Sequence, residues 1–133
     1  MRRSIVLLLL AAAVLACGVQ VYGHHSFTAT YFEDKTVKIE GNIITFQFRN
    51  PHSFVTVEAP DEKGAMQRWG VEWGGAGQLG SQGVTRETFK SGDHVVITGN
   101  PGRNAEDHRI RMVSIRRTSD GFGWGGKPGQ TFD

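Results

Sequence analysis

The residues best able to do chemistry are five histidines: His24, His25, His52, His94 and His108. Imidazole nitrogen suits borderline cations such as Cu(II) and Zn(II). The signal is a constellation, not a motif. No cysteine pair, no His-Glu-x-x-His and no acidic calcium loop accompanies the histidines, and Cys17 is the sole cysteine. The adjacent pair His24-His25 has a particular use if the chain begins there. An α-amine and an imidazole on one residue close a chelate ring on Cu(II). One further imidazole makes a three-nitrogen set that resembles the histidine brace of copper proteins. Neighbouring side chains diverge in an extended segment, so His25 can point elsewhere.

Residues 1–23 decide whether the chain begins there. Arg2-Arg3 precedes an uncharged apolar run from Ile5 to Ala16, and small or polar residues lead on to Gly23. This is the layout of a secretory signal peptide. The run is shorter than the roughly 20 apolar residues of a membrane span. Val21-Tyr22-Gly23 offers a cut that leaves His24 first. Val14-Leu15-Ala16-Cys17 offers another, similar to a lipoprotein box, which would acylate Cys17 and tie the chain to a membrane. Either way the domain is exported, to the periplasm or outside the cell, and holds no disulfide. Removing Arg2 and Arg3 from the 15 basic residues leaves 13, equal to the 13 acidic ones. The basic excess of a general nucleic-acid binder is therefore absent.

The elements that must position the histidines are strands. Residues 24–35 are a polar lead-in, 36–117 a β domain, and 118–133 a glycine-rich stretch without period, expected to be a flexible tail. In "TVKIEGNIITFQFRN" Val37 and Ile39 share one parity, Ile44, Phe46 and Phe48 the other. A switch near Gly41 implies a bulge or bend. "SFVTVEA" and "QRWGVEW" are the second and third strands, the latter with Trp69, Val71 and Trp73 on one face. "HVVITG" and "RIRMVSIRR" are the fourth and fifth. "TRETFK", with Thr85 as N-cap and Glu87 in the first turn, predicts a short helix. Five strands with one helix between the third and fourth is the order of an OB-fold-like barrel. A β-sandwich would want about seven strands.

In that barrel His52 lies between the first two strands and His108 before the fifth. Those loops flank the binding face of OB-folds. The lead-in can extend roughly 35–40 Å at about 3.3 Å per residue, far enough to bring His24 and His25 toward His52. The predicted metal ligands are therefore His24, His25 and His52, with His108 a lesser one. Such imidazoles bind when neutral, so uptake should weaken below about pH 6. His94 starts a strand with outward parity and is expected to be exposed.

Other chemistry is weaker. Arg103, Arg109, Arg111, Arg116 and Arg117 surround the last strand, and with Phe46, Phe48 and Trp69 they could form a cationic aromatic groove, although those aromatics have core parity. Ser26 and Ser53 neighbour histidines but no nucleophile elbow surrounds them. "GGAGQLGSQG" lacks the Lys-Ser or Lys-Thr close of a phosphate loop.

"GHHSF" after the apolar leader, "GNIITFQFRNPH", "WGVE" and "KSGDHVVITGNP" together resemble a family of small exported bacterial proteins of unknown function. Its members look alike in His-His-Ser at the mature start, an internal Asn-Pro-His and a Gly-Asp turn before a late strand. The resemblance spans residues 23–116. It implies export and a small β domain, and brings no catalytic residue. "EWGGAGQLGSQG" is richer in glycine than the family pattern, which implies a differently shaped loop.

The sequence thus points to an exported small-ligand-binding barrel with no assigned catalytic residue, its ligand a copper or zinc ion. One alternative is a metal-free module that docks an envelope protein. Another is a copper-dependent metalloenzyme, for which no general acid or base stands out.

Overall fold

The computed structural model describes residues 1 and 27–126. The chain divides into two units, Met1–Thr30 and Tyr31–Asp133. Of the first, residues 27–30 are helical. The second is the β domain.

Its barrel has five strands: β1 Val37–Gln47, β2 Phe54–Pro60, β3 Met66–Glu72, β4 His94–Pro101 and β5 Arg109–Arg117. Period-2 alternation locates all five to within a few residues. The neighbour order is β3-β2-β1-β4-β5, and β5 returns to pair in parallel with β3 at Gly70–Arg109, Val71–Ile110 and Glu72–Arg111. The sheet thereby closes into the expected OB-fold-like barrel. Val55, Val57, Val71, Ile97, Ile110 and Ile115 are wholly buried in its core.

β1 serves both sides of the barrel. Val37 to Asn42 pair with β4, and Asn42 to Gln47 pair with β2. Ile39 and Ile43 point inward, after which Phe46 and Phe48 pack against the core from the other parity. The switch falls where the β1–β2 register slips, between Ile43 and Thr45, beyond Gly41. Gly41 answers a different need. A Cβ there would lie 2.0 Å from the Glu58 carbonyl oxygen and 2.8 Å from Ala59 Cβ. β2 crosses too near for any side chain.

The helix between the third and fourth strands is α1, Ala76–Ser81, in "AGQLGS" rather than in "TRETFK". Leu79 is wholly buried, and its carbonyl accepts from both Gln82 N and Val84 N at 3.0 Å. Burial of one leucine outweighs the poor helix propensity of the glycines. In residues 85–90 the Thr88 hydroxyl accepts from Thr85 N at 2.7 Å, and Thr88 N donates back to Thr85 O at 3.1 Å. That local turn competes with a helix. It sends Phe89 into the core.

Residues 118–126 also depart from the expected loose tail. The chain turns back on Asp120, whose carboxylate accepts from the Phe122 N–H and from Arg117. It then forms a sixth strand, β6 Gly123–Gly125, antiparallel to β5 with Trp124 opposite Ile115. Trp124 meets Trp73 edge-on at 5.0 Å between ring centres and donates to Gln82 Oε1 at 2.8 Å. Residues 127–133 lie outside the described residues. Among the described residues no helix is long and apolar enough to cross a membrane.

Candidate functional site

The loop between β1 and β2 frames the site, and buried Ser53 anchors it. Ser53 N donates to Gly74 O at 3.0 Å, and Ser53 O accepts from Trp73 N at 2.8 Å. Arg49 O accepts from Ala76 N at 3.0 Å, and Asn50 Oδ1 accepts from Gly77 N at 3.2 Å. The Asn50–Pro51 peptide is cis. This loop lies flat on the start of α1, and only glycine fits beneath it: a Cβ at Gly75 would sit 2.5 Å from Pro51 O and 2.8 Å from Asn50 Oδ1. The Asn-Pro-His stretch and the glycine-rich stretch are thus two halves of one contact.

His52 follows from that frame. Its Nδ1 hydrogen-bonds Glu72 Oε1, while the side chain stays 38% exposed. Glu72 ends β3, and its side chain is nearly buried. The other oxygen, Oε2, accepts from the Tyr31 hydroxyl at 2.5 Å, with an Arg109 guanidinium nitrogen 3.6 Å away. The Arg109 guanidinium also stands 5.8 Å from the centre of the Tyr31 ring. Tyr31 reaches this place because residues 31–35 run along the end of β4. Tyr31 bridges Gly102, Phe32 N donates to Pro101 O at 2.9 Å, and Asn100 Nδ2 donates to Lys35 O at 2.8 Å.

The four groups satisfy one another. A buried carboxylate is tolerated only with hydrogen-bonded partners, and Glu72 has a phenol, an imidazole and a guanidinium. Burial first, and the adjoining Glu72 second, push the Tyr31 phenol well above its ordinary value. It therefore stays protonated and serves as a donor.

Of the predicted ligands, His24 and His25 lie outside the described residues. His108 follows the 3-10 turn Ala105–Asp107 in the left-handed region, with φ 46°. Its ring packs edge-on to Trp69 at 5.0 Å, and its carbonyl accepts from Gly70 N at 2.9 Å. Trp69 and Glu72 have opposite parity on β3, so His108 and His52 engage opposite faces of that strand. His94 is exposed at the start of β4, between Asn42 Oδ1 at 2.9 Å and Glu40 Oε1 at 3.1 Å. Among the described residues no three His, Cys, Asp or Glu side chains gather into a group able to hold a metal ion.

The arginines do not line one groove. Arg117 pairs with Asp93 and Asp120, Arg111 with Glu33, and Arg103 lies over the Phe32 ring. Sequence reasoning missed Tyr31 and Glu72. In "WGVEW" the glutamate alternates outward between Val71 and Trp73, which reads as a solvent face. Its partners Tyr31, His52 and Arg109 come from elsewhere in the chain.

No curated protein matches the chain. The profile of a family of unknown function (DUF6152) matches residues 12–111, most of its length. The chain belongs to that family, whose description assigns no activity.

Proposed function

We propose that this protein is an exported, small-ligand-binding β-barrel domain that takes up a Cu(II) or Zn(II) ion through His52 together with His24 and His25 of the lead-in. The observation that carries this reading is the bond from His52 Nδ1 to the buried Glu72 carboxylate. A metal-ligating histidine characteristically donates its other ring N–H to a carboxylate, which fixes the ring and raises its basicity. Here the partly exposed His52 faces a nearly buried carboxylate. The loop that carries His52 is pinned at Ser53 and against Gly75, so the ring is held before any ligand arrives. Export is inferred from the Arg-Arg start and the apolar run after it. Cleavage before His24 would add an α-amine and two imidazoles to the set.

The test uses protein recovered after export by its host, with the N-terminus verified by mass spectrometry. Calorimetric titration with Cu(II) and with Zn(II) should show one-to-one uptake. Affinity should fall at least about tenfold in His52→Ala. Equal, weak uptake by both proteins would falsify the reading.

A further inference from the structure

Glu72 has two oxygens with separate partners. Oε2 is taken by the Tyr31 hydroxyl and faced by Arg109, which leaves Oε1 directed at His52. The three partners come from three places: the lead-in, the β1–β2 loop and the first residue of β5. Stability alone explains this poorly, because a buried ionic cluster is commonly no better than apolar residues of the same volume. The arrangement has a chemical consequence instead. An ionised carboxylate can only accept hydrogen bonds. A neutral imidazole facing it must carry its proton on that side, so the lone pair is on the far nitrogen.

We propose that Glu72 is a positioning residue that fixes the His52 proton on Nδ1 and makes Nε2 the ligand-binding atom, with Tyr31 and Arg109 aiming the carboxylate. In what Nε2 binds, this rests on the metal reading above; in the tautomer it does not. The ligand class follows from the donor. A single imidazole nitrogen presented in this way suits Cu(II) or Zn(II), and a hard cation such as Mg(II) or Ca(II) prefers oxygen. The Tyr31 phenol, pushed up by burial, remains a donor and does not compete for the proton.

The experiment reads the tautomer directly. Metal-free protein, recovered after export and labelled with nitrogen-15 in its histidines, is examined by NMR near pH 8. His52 should be predominantly protonated on Nδ1. In the double variant Tyr31→Phe/Glu72→Leu both polar partners give way to apolar groups of similar shape, a replacement that can be nearly neutral for folding. There the fraction of His52 protonated on Nδ1 should fall, and Zn(II) affinity should drop about 10- to 100-fold. A wild-type His52 protonated mainly on Nε2 overturns the proposal, with no need for the variant to fold. So does a tautomer the double variant leaves unchanged. If the tautomer shifts as expected while neither protein takes up Zn(II) or Cu(II), positioning by Glu72 stands and the metal reading fails.

Discussion

The Tyr31 hydroxyl reaches Glu72 Oε2 across 41 residues of sequence, at 2.5 Å. This bond ties the lead-in to the barrel wall and holds the carboxylate that faces His52. Its donor is wholly buried and its acceptor nearly so. Hydrogen bonds to charged groups contribute about 1.5–3 kcal/mol, and Tyr31→Phe should lose an amount in that range. Urea unfolding monitored by circular dichroism measures it. Because the two side chains share one network, Tyr31→Phe/Glu72→Leu should cost clearly less than the sum of the single changes. Additive costs would mean the two groups act independently.

Arg117 and Asp120 give the molecule a measurable acid response. The Arg117 guanidinium, and next the Phe122 N–H, hold the Asp120 carboxyl down at about 2. A carboxyl lowered in the folded state stabilises above its unfolded value, about 3.9. That contribution fades as pH falls through the folded value. Asp120 is exposed, so the effect is local and screened by salt. It acts on the turn that returns the chain to β6, where Trp124 packs on Trp73. Tryptophan emission of wild type and Asp120→Asn should differ at pH 7. The difference should shrink as pH drops from about 4 toward 2. A constant difference across that range would show that the pair does not hold the strand.

The fold was legible in sequence because alternation is a local signal and five strands carried it. What escaped depended on partners distant in the chain. Gly41 looked like the point of the parity switch, but the slip lies at Ile43–Thr45, and Gly41 is needed because Glu58 approaches it. "TRETFK" has helix-start chemistry, yet the Thr85–Thr88 turn prevailed and the buried Leu79 drew the helix into glycines. Residues 118–126 have no period, and the rings that Trp124 and Phe122 pack on, Trp73 and Phe89, lie far away in the chain. His52 stood out as a residue type; Glu72 did not, since nothing local distinguishes it from any outward-facing acid on a strand.

Gly41→Ala tests whether the barrel tolerates any side chain at its tightest crossing. The new methyl would meet the backbone oxygen of Glu58 at 2.0 Å, and backbone cannot swing aside as a side-chain tip can. Overpacking typically costs about 1–3 kcal/mol and occasionally more; β1 and β2 must part here, so the upper end or beyond is expected. Thermal unfolding should show a large fall in Tm, or no folded protein at all. An unchanged Tm would mean that β2 leaves room for a methyl group beside β1.

Two glycines of α1 and its entry should respond to alanine with opposite signs, and the contrast tests what holds His52. Gly77 lies within α1, and a methyl group added there would meet nothing within 4 Å. Alanine there removes the freedom glycine has in the unfolded chain and should stabilise by about 0.4–1 kcal/mol. Gly75 is different. Its methyl would press on Pro51 O at 2.5 Å and on Asn50 Oδ1 at 2.8 Å, the two residues that lead into His52. The Asn50 side chain can turn away, but it would forfeit its bond from Gly77 N. The Pro51 carbonyl is backbone and must move with the loop. Gly75→Ala should therefore destabilise by about 1–3 kcal/mol and shift the His52 ring resonances, while Gly77→Ala leaves those resonances where they are. If the two variants behave alike, the loop does not depend on the glycine beneath it, and the rigid seat assigned to His52 has another source.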